Sequence, residues 1–183
     1  LANYLRNKDL LKNYNNDFAT TGTRVVDLKN ELETNQTMTR DGKSLSLKKC
    51  LREADLVTLS VGMDDILTSL TLSTVSVENI SNKEITAIVD KTIKELDILF
   101  KELRKYAKED IIFIGFYNPL EEDSLTIERL YTYLITKTKD LCQNYNIKYL
   151  DIYNLFKENK GYIDNPTNIY PSTEAYQVIA TKI

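Results

Sequence analysis

The sequence predicts a three-layer α/β/α sandwich with a parallel sheet, on two observations. Two near-continuous apolar runs, residues 56–61 and 111–116, read as strands buried on both faces, the pattern of parallel rather than one-sided antiparallel sheets. After each run the apolar residues fall at steps of three and four, and strands alternating with helices of that length imply βαβ crossovers.

The amino-terminal third is the least periodic. Residues 16–19 are expected to form a short strand ending in the turn Thr20-Thr21-Gly22. A helix over about 24–33, a polar stretch and a short helix ending near Ala54 follow. After the first apolar run, Ile85, Ile88, Thr92, Leu96, Phe100, Leu103 and Ala107 define one face of a long amphipathic helix over about 82–108. Lys91, Lys94, Glu95, Lys101, Glu102 and Lys105 form its other face, expected to be solvated. Ile127, Leu130, Leu134 and Leu141 mark a second helix ending near Asn144, and residues 147–152 read as an edge strand. A terminal helix starts behind Pro171, with Ser172 and Glu174 suited to its first turn.

Of 183 residues, 42% are hydrophobic and 28% charged, the balance of a globular chain. No repeat or linker interrupts it, and one domain over residues 1–183 is expected. The formal charge is −3 with no extended basic run, which argues against nucleic acid as a partner. No apolar run approaches the ~18 residues of a membrane-spanning helix. Cys50 and Cys142 belong to no CxxC pair and read as free thiols packed as small hydrophobes. The composition contains no histidine, which excludes a Ser-His-Asp triad, a Cys-His pair and an imidazole metal ligand. The chain opens at Leu1 without an initiator Met or a signal peptide, as a fragment or processed product would, and no compartment is legible in it.

Ligands of open α/β sheets bind at the carboxyl ends of the strands. Polar or glycine punctuation falls there at Gly22, at Gly62-Met63-Asp64-Asp65 and at Tyr117-Asn118-Pro119, and a further loop, residues 164–172, precedes the terminal helix. These segments, in this order, resemble the SGNH (GDSL-type) esterase and lipase family. ADLVTLSVGMDDIL, residues 54–67, is similar to the block in which a strand leads to G-x-N-D. NDFATTGTRVVDL, residues 16–28, resembles the block ending at an oxyanion-hole glycine. IIFIGFYNP, residues 111–119, resembles the strand before the variable loop, and NIYPSTEAYQVIATKI, residues 168–183, resembles the block D-x-x-H-P with its terminal helix.

The resemblance implies an SGNH-hydrolase-like fold with a flavodoxin-like strand order, 2-1-3-4-5. It also implies that the first strand, which carries the nucleophilic serine in a G-D-S block, lies upstream of Leu1. Of the site positions it implies, Gly22 keeps its type. Asp64 stands where the family has the asparagine that donates to the oxyanion, and an ionised carboxylate only accepts. Thr167 and Tyr170 stand where the family has aspartate and histidine. An unperturbed tyrosine, with a pKa of about 10, is no general base at neutral pH.

A catalytically degenerate member is therefore expected, a binding or structural domain whose cleft uses Gly22, Asp64, Tyr117, Asn118 and Tyr170. An acyl ester, a carbohydrate or a protein is its expected partner, and no cofactor is implied. The alternative is an active serine esterase with its nucleophile upstream of Leu1 and an unorthodox base, for which Asp164 and Tyr170 are the candidates. Tyr170 would plug the histidine slot, bond a ligand or act in catalysis. Asp64 and Asp65 are donors of the type hard cations take, but a helix cap is the stronger expectation for Asp65, and no metal site is expected. The resemblance further implies a bacterial, extracellular or cell-surface protein.

Overall fold

The computed structural model describes residues 1–71, 79–120, 124–163 and 169–183. Its elements in chain order are α1 (Ala2–Arg6), α2 (Val25–Thr34), β1 (Thr37–Arg40), β2 (Lys43–Ser46), α3 (Leu47–Glu53), β3 (Leu56–Leu59) and α4 (Met63–Thr71). There follow α5 (Asn82–Leu103), β4 (Asp110–Ile114), α6 (Leu125–Asn144), β5 (Lys148–Leu150), α7 (Tyr153–Glu158), a 3-10 turn at Lys160–Tyr162 and α8 (Thr173–Lys182).

Strands β3, β4 and β5 form a parallel sheet in that order, with Leu59 opposite Phe113 and Ile114 opposite Leu150. Successive residues of a strand point to opposite faces, and β4 uses both. Ile111 and Phe113 join the core that includes Val25, Leu32, Leu96, Phe100, Leu130 and Leu134 of α2, α5 and α6. Ile112 and Ile114 join the core built with Phe156 of α7 and Ala175 and Ile179 of α8. Helices on both faces of a parallel sheet make the three layers that the apolar runs predict. Phe113, fully buried, is the hub: its ring lies 5.7 Å from Phe100 (edge-on), 5.6 Å from Phe116 and 6.0 Å from Tyr149.

Each long helix begins where its cap dictates. Ser81 and Glu84 form a capping box on α5, the Glu84 amide donating to Ser81 Oγ (3.3 Å) and the Ser81 amide to Glu84 Oε2 (2.9 Å). Ser172 Oγ accepts from the Ala175 amide (3.2 Å) and starts α8. Helix α5 stops at Leu103 rather than near Lys108. There the Arg104 guanidinium donates to the carbonyls of Ala107 (3.2 Å), Glu109 (2.8 Å), Tyr145 (2.8 Å) and Asn146, clamping the end of α5 to the end of α6. The chain is thereby turned into β4.

Two further expectations for the amino-terminal third are corrected. Residues 16–19 form a turn, closed by the Ala19 amide on the Asn16 carbonyl (3.0 Å), and not a strand. In the expected order this segment sits two places from β3, and among the described residues no strand lies beside it to take up its hydrogen bonds. The polar stretch is a hairpin, β1 against β2, with Met38 opposite Leu45. Asp41 and Gly42 turn it with φ of 49° and 72°, the left-handed pair that a two-residue hairpin requires, so Asp-Gly was its sequence signal.

Of the two thiols Cys142 is buried and Cys50 half-buried, and both are free. Burial pushes the Cys142 thiol up to about 12, which makes it inert at neutral pH.

Candidate functional site

The site begins at two adjacent strand ends. Gly62 ends the β3 segment with φ +102°, a conformation L side chains rarely adopt, and a Cβ there would lie 3.4 Å from the Phe116 ring. Glycine thus lets β3 turn into α4 directly against the end of β4. Across the sheet, Gly115 passes so close to β5 that a Cβ would lie 2.7 Å from the Leu150 carbonyl oxygen. Both turns deliver their following residues, Asp64 and Asp65 on one side and Tyr117 on the other, to one end of the sheet.

Asp65 is buried, 9% exposed, and its Oδ2 accepts from the Val25 amide at 3.1 Å. It does cap a helix, but that helix is α2 rather than its own α4. The bond ties the segment carrying Gly22 to the first turn of α4. Glu95 of α5 lies near enough to the same carboxylate to feel its charge. Burial first, then the charge of Asp65, raise the Glu95 pKa, against the opposing charges of Lys91 and Arg24. Glu95 is half-buried in a carboxyl pair and not part of a solvated face.

Asp64 lies in the same first turn, half-buried, and burial followed by the Asp65 charge raises its pKa. Tyr117 is tied down twice. Its Oη donates to the Ile169 carbonyl at 2.7 Å, and its ring stacks on Phe156 with centroids 4.4 Å apart. Burial pushes its phenol far above the ordinary tyrosine range, and Tyr176, Tyr170 and Asp64 add to the shift. The bond to Ile169 fixes the segment holding Tyr170 beside β4. Tyr170 is itself raised, by burial and then by Asp64. Tyr176, 53% exposed on α8, is raised by burial and by Tyr170.

The structure therefore brings Asp64, Tyr117 and Tyr170 into one electrostatically coupled cluster, and adds Tyr176. Only its nearness to Tyr170 in the chain could have signalled Tyr176 beforehand. Nothing in the helical spacing marks Glu95. Asn118 adjoins the cluster, but its Oδ1 accepts from the Leu120 amide at 3.0 Å and so closes a turn across Pro119. Gly22 is exposed with φ +79° and open space around its α-carbon. Thr167 and Asp164 lie outside the described residues.

The set joins three tyrosines to one aspartate, with the Tyr117 hydroxyl already donating to the Ile169 carbonyl. No three His, Cys, Asp or Glu side chains converge as metal ligands among the described residues. A shallow groove along α6, past Leu125, Arg129 and Tyr133, shares no residue with the cluster. No helix among the described residues is long and apolar enough to cross a membrane.

A family model described as GDSL-like Lipase/Acylhydrolase matches residues 1–183. Among solved structures, the lipase Lip_vut3 from a goat rumen metagenome is similar at 17% identity and a TM-score of 0.68, over 87% of this chain and 71% of that one. A protein described as a GDSL-like lipase from Parabacteroides merdae is similar at 14% identity and a TM-score of 0.61, over 88% of this chain and 66% of that one, just under two thirds of its length. At such identities the likeness is one of fold. No curated protein matches the chain.

Proposed function

The chain belongs to the GDSL-like lipase/acylhydrolase family, and we propose that within it this protein is a catalytically degenerate member whose cleft, at the carboxyl ends of β3 and β4, binds a ligand without hydrolysing it. The observation that carries the reading is the absence of histidine from all 183 residues, together with what stands at Tyr170. Acyl transfer by an activated serine needs a group that accepts a proton near neutrality. Tyr170 has its pKa raised by burial and by Asp64, so it keeps its proton at neutral pH and donates rather than accepts.

Asp64 supports the same reading. In its ionised form it is an acceptor only and opposes an oxyanion beside it, where loss of one donor costs ~100-fold to 1,000-fold in rate. Loss of a base as well does not simply multiply that cost, because such groups act as a unit. What the cluster retains, aromatic and polar surface at the strand ends, suits binding of an acyl ester, a carbohydrate or a protein surface.

A second reading has one observation in its favour. Burial and then the Asp65 charge raise the Asp64 pKa, which makes it a better base than a solvated aspartate. An active acylhydrolase would then use a serine from a G-D-S segment upstream of Leu1, with Asp64 or Tyr170 in place of histidine. Full-length protein incubated with p-nitrophenyl acetate separates the two. No turnover above background, and no labelling by a fluorophosphonate probe, is expected. Turnover abolished by mutating one serine would establish the enzyme and end the binding-only reading.

A further inference from the structure

Helix α6 spends one face on the core, through Ile127, Leu130, Leu134 and Leu141. Its outer face is not uniformly polar. Leu125, Glu128, Arg129, Thr132, Tyr133 and Thr136 fall at steps of three and four, so they share one side of the helix, and they line a groove of about 390 Å³ with a largely apolar wall. That size lies within the range of small-molecule sites, about 300–1,000 Å³. The groove shares no residue with the cluster at the strand ends.

Its wall and its charges call for different things from a ligand. Leu125 is 70% exposed, a large apolar side chain left to water in the first turn of the helix. The Tyr133 ring is pinned, its Oη donating to Asp90 Oδ1 of α5 at 2.9 Å and Lys137 Nζ lying 5.4 Å from its centroid. Thr136 turns its hydroxyl back onto the Thr132 carbonyl at 2.8 Å, which removes one polar group from competition for a ligand. Of the two charged residues in the groove, Glu128 is paired with Lys157 at 3.2 Å. Arg129, exposed beside it, enters no ion pair among the described residues. A guanidinium is a fork of donors that matches a carboxylate. A wholly apolar ligand would leave that charge unused, and an inorganic anion would leave the wall unused.

We propose that the α6 groove binds a small amphiphilic anion, an alkyl chain ending in a carboxylate, with Arg129 taking the head group and Leu125 and the Tyr133 ring taking the chain. The site is separate from the strand-end cleft and does not depend on how that cleft is read. Octanoate, kept well below its micellar range, is titrated into the full-length protein at low ionic strength, with octan-1-ol and acetate as comparisons, and binding is followed by calorimetry and by tyrosine ring NMR signals. Saturable one-to-one octanoate binding is expected, with octan-1-ol about twofold to fivefold weaker for want of the charge and acetate at least about tenfold weaker for want of the chain. Arg129→Gln is expected to weaken octanoate about twofold to fivefold and to leave octan-1-ol unchanged, and Leu125→Ala to weaken both about twofold to threefold. Both side chains are exposed, so neither substitution touches the core.

No saturable octanoate binding, octan-1-ol or acetate binding as tightly as octanoate, or an unchanged octanoate affinity in Arg129→Gln would each overturn the assignment. So would a sedimentation mass that doubles with concentration in the unmodified protein and stays at one chain in Leu125→Asp, because a second copy would then be what fills the groove. Serine-dependent ester turnover would sink the non-hydrolytic reading and leave this site standing.

Discussion

Glu95 and Asp65 show how one buried contact changes what a residue does. Their carboxyls lie near one another where α4, α5 and the start of α2 converge, and Asp65 also holds the Val25 amide. Because burial and the Asp65 charge raise the Glu95 pKa above its unfolded value, the folded state favours the protonated form. That preference stabilises fully below the unfolded carboxyl range near 4.5 and is lost as pH rises through the raised folded value. Urea unfolding measured from pH 4 to 8 is expected to show this decline, and Glu95→Gln to remove it. Identical pH profiles for the two proteins would mean that the pair stores no such energy. Aspartates and glutamates held low by hydrogen bonds, such as Asp27 and Glu84, titrate in the opposite sense. The difference between the two profiles is therefore what isolates Glu95.

Helix starts decide where the site's residues stand. Helix α8 carries Tyr176 and follows directly on Tyr170, and its first turn is held by Ser172, whose side chain accepts from the Ala175 amide while its own amide reaches Tyr162. Ser172→Ala removes the side-chain cap and is expected to cost about 1 kcal/mol of stability. The cost is to be read from urea denaturation, with Ser172→Asn, another good cap, restoring most of it. A loss confined to Ala would identify the cap; an equal loss in Asn would point to packing instead. The Arg104 clamp works at the opposite end of an element. By spending its donors on four carbonyls it ends α5 and sets the start of β4.

The sheet and its helical layer of α2, α5 and α6 are held through the aromatic cluster around Phe113. This residue is fully buried and touches aromatic rings of α5, of β5 and of the segment after β4, so it joins three elements of one face. Phe113→Ala is expected to cost about 3–5 kcal/mol. Set against the ~5–15 kcal/mol of a typical domain, that is a large share of the whole. The urea midpoint should fall with the slope unchanged, because the surface exposed on unfolding is the same. A changed slope would show that the two faces of the sheet unfold separately.

Much of this architecture is a property of the sequence alone. Continuous apolar runs at β3 and β4, and three-four spacing in α5 and α6, arise from residues near one another in the chain, so local pattern reports them. The missing histidine is likewise a fact of composition that no fold can alter, and it bounds the chemistry at Tyr170. Tertiary structure decided the rest. Residues 16–19 are a turn because strand formation depends on a neighbour, and the hairpin around Asp41-Gly42 has little signature outside its turn because four-residue strands carry little periodicity. Glu95 lies on the charged side of its helix by spacing, yet a distant aspartate turns it into a carboxyl pair. Tyr176 joins Asp64, Tyr117 and Tyr170 only because two strand ends and a helix start converge. Contacts between residues far apart in sequence set local dielectric and charge, and neither can be read along the chain.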